Sequence, residues 1–90
     1  MTKLNIELCV AKEEAMDVLE KLSIDKFKAR RVLPIEGADS LNIDGGLNDI
    51  RARITDTGIE FFCRYARERA KYESVIRNYC FTNGIEKKEL

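Results

Sequence analysis

The residues best suited to chemistry in this chain are its cations, and they fall into three clusters. Lys26, Lys28, Arg30 and Arg31 form the first, Arg51 and Arg53 the second, and Arg64, Arg67, Arg69 and Lys71 the third. A guanidinium is a planar fork that matches phosphate oxygens and, in a major groove, the edge of guanine. Such clustering points to a surface that holds nucleic-acid phosphates. The competing reading is a solvated face, in which Glu60, Glu68 and Glu73 balance the nearby arginines at helical pairing distances.

Other chemistry finds little footing. The chain has no histidine, so Cys63 or Cys80 as a nucleophile would lack an activating base. The pairs Glu13/Glu14 and Asp44/Asp49 sit in solvated contexts with no visible cause for a raised pKa. Asp39, Asn42, Asp44, Gly45 and Asp49 suggest a calcium loop, but with Gly45 at the sixth position the twelfth falls on Arg51, where a bidentate Glu is required. Turn formation is the better reading. Gly45-Gly46 lacks the spacing of a phosphate cradle. Three widely spaced cysteines, Cys9, Cys63 and Cys80, with no CxxC, make neither a zinc site nor a disulfide framework. A non-enzymatic protein without metal or cofactor is expected.

Composition sets the scale. Ninety residues make one domain, residues 1–90, with a small core. Apolar residues at 44% and charged residues at 36% describe an ordinary globular chain. Sixteen basic groups against 16 acidic ones leave no global pull toward DNA or an anionic membrane, so a nucleic-acid reading rests on local clustering. The N-terminal stretch lacks the apolar run of a signal peptide or membrane span, and the C-terminal KKEL has no meaning as an address without one. A cytoplasmic location with reduced thiols is expected.

The elements that position the cations follow from periodicity. Leu4, Ile6, Leu8 and Val10 alternate with Lys3, Asn5, Glu7 and Cys9, as in a half-buried strand. Ala15, Val18, Leu19 and Leu22 give residues 12–22 a helical stripe, with stop signals at Ser23 and Asp25. Residues 27–35 read as extended, with Pro34 suited to a strand edge or end and residues 36–39 as a loop. Leu41 and Ile43, then Asp44-Gly45-Gly46, then Ile50, Ala52 and Ile54 mark a β-hairpin with Arg51 and Arg53 on its outer face. Gly84 reads as a helix C-cap, and residues 86–90 as a frayed tail.

Residues 50–80 admit two readings. In one, Asp56-Thr57-Gly58 is a hairpin loop, after which Ile59, Phe61, Cys63 and Tyr65 alternate with Glu60, Phe62 and Arg64. In the other, Thr55 is an N-cap and a helix runs to about Cys80. Phe61, Tyr65, Tyr72, Val75, Ile76 and Tyr79 then share a face, and Ile59, Phe62, Cys63, Ala66 and Ala70 share another. The unbroken face favours the helix. A helix with two apolar faces cannot satisfy both inside one small domain, so Tyr65, Tyr72, Val75, Ile76 and Tyr79 are expected to form a homodimer or partner surface.

The run ITDTGIEFFCRYARERAKY resembles the C-terminal part of small winged-helix proteins of archaeal and viral type. There the second wing strand enters a helix through I/L-T-x-x-G-x-x-F/Y-L. Ile54, Thr55, Gly58, Phe61 and Phe62 match, Phe62 standing where Leu is usual, and residues 41–54 would be the wing. The resemblance implies DNA-binding transcription regulation, often by dimers joined through the last helix. It covers about 40 residues. The N-terminal half departs from it, because a winged helix places three helices before its wing and the third in the major groove. One helix is visible here, so no recognition-helix residue carries over.

The expected fold is therefore a small single α+β domain of order β-α-β-hairpin-α with antiparallel strands, winged-helix-like. The expected function is a nucleic-acid-binding regulator whose Lys28, Arg30, Arg31, Arg51 and Arg53 contact the phosphates of double-stranded DNA. The alternative is a protein-interaction module, a small inhibitor or adaptor, acting through the aromatic helix face or an exposed strand edge.

Overall fold

Alternation builds the first element. In β1 (Thr2–Leu8) the side chains of Leu4, Ile6 and Leu8 all point inward and are buried, while Lys3 and Asn5 stay exposed. The computed structural model describes residues 1–29, 31–35, 40–44 and 50–90, with Asp44 described through its backbone alone. The hairpin turn at Gly45-Gly46, the loop at residues 36–39, Arg30 and most of the considered calcium ligands lie outside the described residues.

The apolar stripe of Ala15, Leu19 and Leu22 is buried in α1 (Lys12–Phe27), which runs past Ser23 and Asp25 to bury Phe27 as well. The stop signals fail because Ser23 faces inward and Phe27 adds another turn to the apolar face. Lys28 ends the helix in the left-handed region, at φ 55°, and its amide and that of Ala29 both donate to the Ser23 carbonyl. Short strands follow: β2 (Arg31–Pro34), β3 (Leu41–Asp44), β4 (Ile50–Ile54) and β5 (Ile59–Cys63). A 3-10 turn (Ala66–Glu68) leads into α2 (Arg69–Asn83), capped by Gly84 at φ 66°, and the chain closes with β6 (Lys87–Glu89).

The strands make one six-stranded sheet in the order β2-β3-β4-β5-β1-β6, with every neighbouring pair antiparallel. The expected α+β class and the β-α-β-hairpin-α order are present, with two strands added. One of them, β6, replaces the expected frayed tail. Cys9 and Leu90 donate amides across this β1–β6 edge, to Glu86 and Asn5. Ionic contacts fasten it too, since Glu89 accepts from both Arg77 and Lys87.

The other added strand, β5, settles the two readings of residues 50–80. Residues 59–63 are a strand and not a helix. Ile59, Phe61 and Cys63 are buried, and Ile54 faces Ile59 across the β4–β5 hairpin. Thr55 explains why both readings fitted. Its hydroxyl accepts the amides of Thr57 and Gly58, as an N-cap side chain accepts those of a first helical turn, yet here the chain turns back into a strand. Gly58 is required for packing, because a Cβ there would stand 1.8 Å from the Leu8 carbonyl oxygen.

A single core joins the inward residues of β1, β3, β4 and β5 to side chains of both helices, so both helices lie on the same face of the sheet. Tyr72, Ile76 and Tyr79 from α2 belong to this core, and Tyr72 meets Phe27 edge-on with ring centroids 5.9 Å apart. The expected dimer surface on these residues is therefore unavailable: Tyr72, Ile76 and Tyr79 are buried, and Val75 packs against the same cluster. With residues 59–63 removed from the helix, α2 has one apolar face, and the domain covers it internally. Tyr65 lies outside the core and is 37% exposed.

Two outcomes follow for stability. Gly58→Ala should lower the free energy of unfolding by about 3 kcal/mol, since backbone must move to admit the methyl group. Tyr72→Ala should cost a similar amount, about 3 kcal/mol or more, as truncated core aromatics do. Urea unfolding followed by circular dichroism measures both, and a Tyr72→Ala protein of unchanged stability would contradict the core assignment.

Candidate nucleic-acid interface

The face of the sheet opposite the helices carries side chains in rows fixed by register. Lys3 of β1 lies opposite Phe62 of β5, which lies opposite Arg51 of β4, then Asn42 of β3, then Leu33 of β2. A second row runs Lys88, Glu7, Glu60, Arg53. No described element covers these rows. Arg51 and Lys3 are exposed, and Phe62 is half-buried between them.

The second row is an ionic network. One terminal nitrogen of Arg53 donates to both Glu60 carboxylate oxygens, at 2.8 and 3.0 Å. Lys3 reaches Glu7 at 3.0 Å and Glu60 at 3.4 Å. Burial pushes the Glu60 carboxyl up, but the Arg53 hydrogen bond and the charges of Lys3 and Arg53 outweigh it and hold the group below its usual range. The guanidinium of Arg53, anchored in this way, stands 5.8 Å from the centre of the Phe62 ring.

Charge is distributed unevenly over a chain that is neutral overall. Among the described residues, Lys3, Arg31, Arg51, Arg53 and Lys88 lie on the outward side of the strands, against Glu7 and Glu60. On the opposite side α1 exposes Glu13, Glu14, Asp17, Glu20 and Asp25 against Lys12, Lys21 and Lys26. The sheet face is basic and the α1 face acidic.

The cations singled out in the sequence are thus partly gathered. Arg51 and Arg53 share the open face, and Arg31 lies on the edge strand β2. Lys28 closes α1, in the helical layer, and does not join them. Arg30 lies outside the described residues. Lys3 and Phe62 were missed. The alternation of β1 already turned Lys3 outward, whereas Phe62 was hidden by the helical reading of its segment.

The third cluster is divided: Arg64 and Arg67 stand 5.3 and 4.4 Å from the Tyr65 ring, whereas Lys71 lies over Tyr72 and Arg69 beside Glu73. The thiols of Cys63 and Cys80 are pushed up by burial, which keeps them protonated at neutral pH. A cavity of about 140 Å³ between α1 and β2, lined by Glu20, Ser23, Ile24, Arg31 and Val32, falls short of the size of an ordinary small-molecule site. No described helix is long and apolar enough to cross a membrane.

The residues of the winged-helix motif are on the β4–β5 hairpin: Ile54 ends one strand, Thr55 and Gly58 make the turn, and Phe61 and Phe62 lie on the next strand. No protein-family model matches the chain, and no curated protein or solved structure is significantly similar to it.

The Glu60 network has a pH signature. Its carboxyl titrates lower in the folded chain than in the unfolded one. Its stabilisation is therefore complete above the unfolded value near 4.3 and disappears as pH falls through the folded value. Urea midpoints compared at about pH 6 and pH 3 should fall more for the wild-type chain than for Glu60→Gln. Equal losses would show that the network contributes nothing to stability.

Proposed function

We propose that this protein is a non-enzymatic nucleic-acid-binding module that works through the open face of its sheet. The observation that carries the reading is the contrast in charge between the uncovered face, lined by cations, and the outer side of α1, lined by carboxylates, although α2 beside it exposes Lys71 and Arg77. Phosphates are attracted to the first and repelled by the second, which orients the domain on its ligand. Arg51 is the central contact. It is exposed, it lies in the middle of the row, and Lys3 stands two strands away. Arg53 serves mainly to hold Glu60 and back Phe62. In this reading one chain is the binding unit, since the apolar face of α2 is used internally. The three free thiols accord with a cytoplasmic setting.

A second reading, a protein-interaction module, draws on one observation. Phe81 on α2 is 87% exposed, beside Ser74, Arg77, Asn78 and Lys87. The strand edges support it less. β2 is four residues long and ends in Pro34, and β6 is three residues long and carries two lysines, so both discourage strand addition.

Fluorescence anisotropy with labelled oligonucleotides tests the proposal. Two phosphates neutralised by Arg51 and Lys3 predict an affinity that falls roughly 7- to 12-fold between about 50 and 200 mM salt. Arg51→Glu should weaken binding at least tenfold, whereas Phe81→Ser should leave it unchanged. Absence of binding to any oligonucleotide, single-stranded or duplex, at low salt would reject the reading in favour of a protein partner.

A further inference from the structure

We infer that the ligand of the open face is a single strand of nucleic acid, one of whose bases stacks on Phe62 while Lys3 and Arg51 hold the phosphates on either side. The inference rests on the nucleic-acid reading above and narrows it to a substrate class.

Phe62 carries the argument. An outward phenylalanine in the middle of a sheet gains nothing from the core, and here it is framed by cations. Lys3 lies directly opposite on one neighbouring strand and Arg51 on the other. Side chains so placed stand about 5 Å apart at their Cβ atoms, close enough for one nucleotide to engage all three. Arg53 approaches the ring and is itself fixed by Glu60, which limits the motion of the platform. Along the same row Asn42 supplies an amide for base edges and Leu33, 36% exposed, an apolar end. Five strands at sheet spacing make the row roughly 19 Å long, enough for a few nucleotides.

Duplex fits this surface poorly. Its bases are stacked on one another and offer no free face to a ring, and a groove must be entered by a protruding element. Phe62 lies on β5, an interior strand of the sheet, and cannot enter a groove. The exposed side of α1 is acidic and is repelled by phosphates.

The full-length chain should be titrated into labelled oligothymidine of about a dozen nucleotides and into a duplex of equal length, at low salt. The single strand is expected to bind at least tenfold tighter. Phe62→Leu should weaken single-strand binding roughly 5- to 150-fold, the range for one lost stacked base, while Phe62→Tyr should keep it near wild type. Circular dichroism melting confirms that both variants are folded. If Phe62→Leu binds like wild type, or if duplex is preferred, the inference falls while the nucleic-acid reading stands. If neither ligand binds, that reading itself fails. Should Phe62→Leu not fold, photocrosslinking of a bromouridine-containing strand to the wild-type chain decides. An adduct on Phe62 supports the inference, and adducts confined to α2 overturn it.

Discussion

The pairing of β5 with β1 holds the molecule together. Ile59 sits opposite Leu8, Phe62 opposite Lys3, and Gly58 lets the turn before β5 press against the Leu8 carbonyl. Because β5 also pairs with β4, it ties the β2-β3-β4 meander to the β1–β6 edge. Its two periodic sets do different work. Ile59, Phe61 and Cys63 enter the core, and Glu60 and Phe62 face the open side. A slip of one residue would exchange the sets, placing a carboxylate in the core and three apolar side chains in water.

Strand β1 adapts to this pairing with an irregularity. Its register against β5 shifts between Lys3 and Glu7, and the Asn5 amide is taken by the Glu73 carboxylate of α2. A helix side chain thus satisfies a backbone donor that the ladder leaves over, a need that follows from the high cost of an unpaired amide. Alternation is unbroken across the shift, so Lys3 and Glu7 stay on one face, where they pair with each other at 3.0 Å.

The two faces of the sheet obey different physics. Burial and close packing dominate beneath the helices, where truncating one aromatic side chain is felt by the whole domain. On the open face, exposed ion pairs contribute little to stability each. Arg51 is exposed there and Phe62 half-buried, and neither enters the core. Their placement in one cross-strand row, flanked by Lys3 and Asn42, is consequently more informative about binding than about folding.

Local sterics made much of this architecture legible in the sequence. The alternation of Leu4, Ile6 and Leu8, the stripe of Ala15, Leu19 and Leu22, the Leu41/Ile43 and Ile50/Ala52 hairpin and the Gly84 cap each depend on near neighbours alone. Arg51 was readable as outward for the same reason. The fate of residues 59–63 was not, because Thr55 caps a turn as readily as a helix and because Phe61, Tyr72, Ile76 and Tyr79 meet in one core from two different elements. Nor was the β6 edge or the company of Lys3, Phe62 and Arg51, since each needs a partner far away in the chain. The sequence by itself determined which stretches alternate and which wind, as steric and apolar periodicity act within a few residues. Only the tertiary structure decided which strands became neighbours, and with them which side chains share the open face, because strand pairing is set by long-range packing against a common core.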